Sequence, residues 1–180
     1  MSEWAKWFMV GAMSKAFTRE DDTPDEPVLP APVSLLPPGM KNYLTASGAE
    51  RLRGELVRLN DERSGLLARA AVDPEVKREV AQLDQRIRYL QTSLATASIV
   101  DPPGAKAGKV QFGSSVTVRD ARSGEESVYR IVGVDETDFD HNEISWLSPI
   151  AKALMNAKVG QKVPFKFPKG ATELEIVKIG

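Results

Sequence analysis

Two stretches between residues 42 and 98 place apolar side chains at alternating intervals of four and three. Leu52, Leu56, Leu59, Arg63, Leu66 and Ala70 form the first series, and Val76, Val80, Leu83, Ile87, Leu90 and Leu94 the second. That spacing puts each series along one stripe of an α-helix. Thr45 and Ser47 are candidate N-caps for the first helix, with Glu50 three residues after Ser47. Between the stripes lie Ala71-Val72-Asp73-Pro74. Asp73 suits an N-cap and Pro74 the first position of a new helix. So short a break folds the helices back on each other as an antiparallel hairpin with coiled-coil packing. Arg63 falls where an aliphatic residue is expected and must either snorkel to the edge of the seam or face another element.

After residue 108 the period changes to two. Residues 109–113, 114–120 and 127–135 alternate apolar and polar positions, with a turn at Ser123-Gly124. A short strand is expected at 143–146. Ser148-Pro149 then opens a helix with Ile150, Ala151, Leu154 and Met155 on its apolar face and Gly160 just past its end. Residues 161–167 and 172–179 read as two strands around a Lys169-Gly170 turn, and Pro164 assigns the first of them to an edge or a bulge. The expected class is α+β: a helical hairpin followed by a strongly bent antiparallel sheet packed on one helix.

The N-terminal region carries neither period. Pro24, Pro27, Pro30, Pro32, Pro37 and Pro38, with Glu20, Asp21, Asp22, Asp25 and Glu26, forbid a helix and supply no core. Residues 1–41 are therefore expected to be a disordered acidic extension, 42–98 the hairpin and 99–180 the second domain. Met13 opens a stretch that suits a translation start, so residues 1–12 are expected to be additional to it.

Composition narrows the chemistry. The chain has 24 Lys+Arg, 25 Asp+Glu, one His and no Cys, for a net charge of -1. The absence of a basic excess argues against binding naked nucleic acid through bulk charge. Disulfides, thiolate catalysis and multi-His metal sites are excluded. No run approaches the roughly 18 apolar residues of a membrane span. His141, beside Asp138 and Asp140, is a possible general base, although an acidic loop of this kind more commonly stays solvated. Asp135, Asp138, Asp140 and Glu143 do not follow the order of a calcium loop. At the hairpin tip Asp73 and Glu75 can present carboxylates to a metal on another molecule. The simpler reading makes Asp73 a cap and Glu75 a charge favoured by the helix dipole. No metal, cofactor or enzymatic activity of the chain's own is expected.

Particular residues then carry a resemblance. Leu44-Thr45-Ala46-Ser47-Gly48, with Leu52, Glu55 and Leu56, opens the first helix. Arg86-Ile87-Arg88-Tyr89-Leu90 lies in the second, and Ile99-Val100-Asp101 follows it. Further on come Lys109-Val110, Phe112-Gly113, Tyr129-Arg130-Ile131-Val132-Gly133, Ile144-Ser145, Ser148-Pro149-Ile150-Ala151, Ala153-Leu154 and Val159-Gly160. These resemble the Gre family of bacterial transcript-cleavage and elongation factors, over about residues 42–180, and Met13 resembles a GreB-type start. The resemblance implies an FKBP-like second domain that docks on RNA polymerase at the secondary channel. It also implies a hairpin threaded toward the catalytic Mg²⁺, whose tip acids help the polymerase cleave backtracked RNA. A cytoplasmic monomer is implied, with nucleic acid met, as DNA or RNA, only inside the transcription complex. Candidate partner contacts are Asp135, Asp138, Asp140 and Glu143, taken as an exposed acidic loop, together with Ser148 and Pro149. The family's tip motif, of the form G-D-x-x-E-N-A-x-Y, is missing; Ala70-Ala71-Val72-Asp73-Pro74-Glu75 stands there. The hairpin is about a dozen residues short, a loss of reach of roughly 9–10 Å. Weak or absent cleavage stimulation is expected. An FKBP-like peptidyl-prolyl isomerase and a generic coiled-coil adaptor are the alternatives.

Overall fold

The computed structural model describes residues 36–104, 108–167 and 170–180. Residues 1–35 of the acidic extension, the start at Met13 and Lys169 of the last turn lie outside the described residues; at the end of the extension, residues 36–41 are described, and there the Met40 N–H donates to the Pro37 carbonyl at 3.2 Å. The chain is α+β, with two long helices and a curled sheet.

Strand β1 (Asn42–Thr45) leads into α1 (Ala46–Ala70); α2 (Pro74–Thr96) runs back and continues as β2 (Ala97–Val100). Thr45 caps α1, accepting from the Gly48 N–H at 3.0 Å, so of the two candidate caps it is Thr45 that serves. Asp73 caps α2, accepting from the N–H groups of Glu75 at 2.9 Å and Val76 at 3.4 Å, with Pro74 in the first turn. The helices are antiparallel: Arg63 of α1 pairs with Asp84 of α2, and Arg86 of α2 makes a two-pronged contact with Glu55 at 2.9 and 3.1 Å. Arg63 thus occupies its apolar-stripe position with its head at the seam's edge, half-buried against a carboxylate. Leu44, Ala49, Leu52, Leu59, Ile87 and Leu90 form the buried cluster at the base of the pair.

The sequence pattern does not reveal that β1 and β2 pair in parallel, Asn42 opposite Ala97 through Thr45 opposite Val100. Parallel strands need a long crossover, and here the two helices together provide it. The Asn42 amide fastens the arrangement by donating to the Ser93 carbonyl at 3.0 Å.

The second sheet has the order β5-β4-β3-β7-β6. It comprises β3 (Ser115–Asp120), β4 (Glu126–Val132), β5 (Glu143–Ser145), β6 (Lys162–Phe167) and β7 (Gly170–Ile179). A 3₁₀ turn (Val134–Glu136) precedes β5 and helix α3 (Pro149–Leu154) follows it. Alternation places Val116 and Val118 of β3 and Leu174 and Ile176 of β7 inside, with Ile131, Ile144, Ala151, Leu154 and Val163. Pro164 sits on β6, an edge strand, where its missing N–H leaves no interior ladder broken. Ser148 caps α3, accepting from the Ala151 N–H at 3.2 Å.

Three expectations are corrected. The sheet is mixed rather than antiparallel, because β5 pairs with β4 in parallel after the chain crosses through the 3₁₀ turn. Residues 109–113 are not a strand: Val110 exchanges backbone bonds with Ala157 and Asn156 after α3, and Gly113 takes φ +83° to turn the chain into β3. Helix α3 ends at Leu154, where Met155 is the C-cap and Asn156 takes φ +65°, so Gly160 belongs to a later turn.

Leu90 is fully buried in the helical cluster, whereas Val72 at the hairpin tip is 85% exposed. Leu90→Ala is expected to cost about 2–5 kcal/mol in urea unfolding. Val72→Ala should stay within about 0.5 kcal/mol.

Candidate functional site

The segment from Gly133 to Glu143 joins the sheet to the helices, and three of its carboxylates make the joint. Glu136 is buried and reaches the start of α1. Its Oε1 accepts from the Thr45 N–H at 2.8 Å and from the Gly133 N–H at 3.0 Å, and its Oε2 accepts from the Thr45 hydroxyl. In a local capping box the glutamate three residues into a helix accepts from the cap's own N–H. Here that third position is Gly48, and the carboxylate comes from 91 residues away. A Cβ on Gly48 would lie 1.8 Å from Glu136 Oε2, and one on Gly133 would lie 2.2 Å from the Tyr43 carbonyl oxygen. Both glycines are therefore required by close approach. Glu136 also caps its own 3₁₀ turn through Gly133, so one carboxylate serves two helix starts.

Asp135 accepts from the Tyr89 hydroxyl and the Ser93 hydroxyl of α2. Glu143, also buried, accepts from Arg51 of α1 at 2.8 Å and from Arg130 of β4 at 3.1 Å, while Arg130 also donates to Ser47 at 3.0 Å. The hydrogen bond to Glu143 holds the Arg51 guanidinium above its ordinary pKa.

These contacts correct the expectation of an exposed acidic loop. Asp135 and Glu143 are turned inward, the first toward the Tyr89 and Ser93 hydroxyls of α2 and the second toward the guanidinium groups of Arg51 and Arg130. The two do not converge with Asp138 and Asp140 on any common point. Among the described residues, no group of three His, Asp or Glu side chains is placed to hold a metal ion.

The part that remains outside is the tip, 138–142. Asp138 and Glu143 exchange backbone bonds at 3.0 and 2.8 Å, closing the loop, and Asn142 takes φ +55°. The Asp138 carboxylate accepts from the N–H groups of Asp140 and His141 and lies 2.8 Å from His141 Nδ1. That hydrogen bond raises the His141 pKa and lowers that of Asp138. Both side chains are open to solvent, so the imidazole faces no substrate pocket and its role as a general base finds no geometry. Ser148 is half-buried with its hydroxyl committed to α3, and Pro149 is exposed beside it.

At the far end of the hairpin, Glu75 is exposed and the Asp73 carboxylate is occupied as a cap. Among the described residues, the aromatic side chains do not line a prolyl pocket. Tyr129, Trp146 and Phe165 pack on the sheet core, and Tyr43 meets the Phe112 and Trp146 rings at 5.7 and 5.4 Å.

Spacing and periodicity do not single out Glu136 or Arg51, and Arg130 entered only as part of the motif Tyr129-Arg130-Ile131-Val132-Gly133. The available signal was Gly48 at the third helical position, where a capping glutamate would be ordinary.

Gly48→Ala is expected to destabilise the chain by about 2–3 kcal/mol, since the new methyl displaces a carboxylate from its donors despite better helix propensity. The control Gly54→Ala, with open space around it, should instead gain about 0.5–1 kcal/mol. For the loop tip, a proton NMR titration should place the His141 pKa above the ordinary 6.5, and Asp138→Asn should lower it by removing the largest of the effects that raise it. The raised imidazole contributes to folding fully below about pH 6.5 and loses that contribution as pH rises through its folded value. The lowered Asp138 contributes above the ordinary carboxyl range and loses it as pH falls through its folded value, so the pair acts in the window between.

The family model described as the C-terminal part of the transcription elongation factors GreA and GreB matches residues 105–180. Transcription elongation factor GreB of Neisseria meningitidis serogroup B is 37% identical over 154 residues, covering 77% of this chain and 93% of that protein. Transcription elongation factor GreA of Trichlorobacter lovleyi is 39% identical over 149 residues, covering 76% and 94%. A solved GreA/GreB elongation factor from Nitrosomonas europaea is 25% identical, with a TM-score of 0.38 over 78% of this chain and 98% of that one. With the GreB and GreA relatives 37% and 39% identical and covered over 93% and 94% of their own lengths, the chain belongs to the GreA/GreB family of transcription elongation factors.

Proposed function

We propose that this protein binds bacterial RNA polymerase at its secondary channel and modulates transcription while stimulating transcript cleavage weakly or not at all. In this reading residues 99–180 are an FKBP-like docking domain and residues 42–98 a coiled-coil hairpin that enters the channel. Residues 1–41 are an extension outside both. The protein acts in the cytoplasm as a monomer, and it meets nucleic acid only within the transcription complex. Hydrolysis, where it occurs, belongs to the polymerase.

The hairpin tip carries this reading. Helix α1 has 25 residues, a length of about 37 Å. At its end the chain offers Ala71, the exposed Val72 and Asp73, and the Asp73 carboxylate already accepts two backbone N–H groups. A carboxylate committed to a cap is poorly placed to join a metal's coordination shell, which needs an oxygen at about 2–2.6 Å. The reach lost with the missing turns, roughly 9–10 Å, exceeds what a side-chain rotation supplies. Family membership supports the polymerase as partner. No described aromatic pocket supports prolyl isomerisation, and the capped joint between hairpin and sheet is more than a generic adaptor requires.

Docking is assigned to Asp140, which is exposed, to the half-buried Asp138, and to Pro149 with Ser148 beside it. Asp135 and Glu143 act indirectly, by holding the loop on the helices. No helix among the described residues is long and apolar enough to cross a membrane.

The test is RNA cleavage by a stalled, backtracked polymerase complex with and without the protein. Wild type is expected to bind and to leave cleavage near its intrinsic rate. Asp73→Ala with Glu75→Ala should leave both unchanged while costing about 0.5–2 kcal/mol of stability through the lost cap. Strong cleavage stimulation that disappears in the double variant would instead make these two acids working tip residues.

A further inference from the structure

Among the described aromatic side chains, Phe139 alone is exposed, at 82%, while Tyr43, Tyr89, Phe112, Tyr129, Trp146 and Phe165 are each at least partly buried. An isolated exposed aliphatic residue needs no explanation, but a phenyl ring forfeits a large transfer free energy in water. The ring also stands on a prepared support. The loop is closed by the paired backbones of Asp138 and Glu143, and the Phe139 carbonyl accepts from the Asn142 N–H at 3.2 Å. Its root, Glu143, is clamped by Arg51 and Arg130. The backbone that carries the ring is therefore ordered before any partner arrives, and ordering is one of the main costs of association.

The ring's flanks fix the chemistry of what covers it. Asp138 and Asp140 stand on either side in sequence, and the Asp140 side chain is exposed. Asp138 is paired with His141 at 2.8 Å, so the ring stands beside one open carboxylate, that of Asp140, and such a knob is complementary to an apolar socket with Lys or Arg at its rim. We propose that Phe139 is the anchor of the docking surface and inserts into such a basic-rimmed apolar socket on RNA polymerase. This rests on the Gre-type reading above and adds to it the residue that carries most of the docking energy. Central aromatic anchors dominate interfaces in this way, while rim charges chiefly set the association rate and its salt dependence.

Binding of the full chain to core RNA polymerase, measured across a salt series, tests the assignment. Phe139→Ala should weaken affinity about tenfold or more with an unchanged melting temperature, because the ring packs against little of its own protein. Phe139→Leu should keep part of the affinity. Asp140→Asn should slow association and flatten its salt dependence while leaving the dissociation rate nearly as it was. If wild type binds and Phe139→Ala binds equally well, the anchor is refuted and the polymerase reading stands. If wild type does not bind at all, the polymerase reading fails and takes the anchor with it. If sedimentation shows that wild type self-associates through Phe139, with polymerase affinity unchanged in the alanine variant, the socket lies on a second copy of this chain and the proposal is wrong.

Discussion

One buried carboxylate ties the molecule together. Glu136 accepts hydrogen bonds from Thr45 backbone, Thr45 hydroxyl and Gly133 backbone. A carboxylate taken from water is tolerated only when such donors replace its hydration. The donors here are N–H groups at helix starts, which have no partner within their own helices. Each side of the joint thus supplies what the other lacks. Moving the hairpin away from the sheet would strand a charge on one side and helix-end donors on the other. That shared penalty acts together with the Tyr43 ring, packed on Phe112 and Trp146, to hold the helices against the sheet.

The same economy explains why so acidic a segment is not simply a solvated loop. Asp135 goes to the hydroxyls of α2, and Glu143 to Arg51 and Arg130. The turn between them, 138–142, stays at the surface. Its acids can steer a basic partner, and its Phe139 can be held outward because the root is rigid. Stability at the joint and presentation at the tip are consequences of one division of charge along eleven consecutive residues, 133–143.

At the opposite end, structure and chemistry compete for the same group. Asp73 begins α2 and satisfies its first N–H groups. A helix that turns back after three residues needs such a cap, and the cap withdraws the carboxylate from other work. The apolar Ala71 and Val72 beside it add no ligand. At this turn the Asp73 carboxylate serves the start of α2, while the neighbouring Glu75 is exposed.

Local periodicity legibly determined the elements. The four-three spacing from Leu52 to Ala70 and from Val76 to Leu94 set both helices, Asp73-Pro74 and Ser148-Pro149 set two starts, and Pro164 set an edge strand. These are contacts within a few residues, or faces whose burial any partner surface would satisfy, so the sequence alone determines them. The motif residues likewise sufficed for the family. Tertiary structure decided what depends on pairing between distant segments. It paired β1 with β2, set β5 parallel to β4, absorbed Val110 into a turn, and chose which acids of 135–143 face inward. The run of carboxylates does not reveal that Glu136 turns inward and Asp140 outward, since both are acids in a polar stretch. The difference appears only when the start of α1, folded 91 residues away, brings a donor to one of them and leaves the other in water.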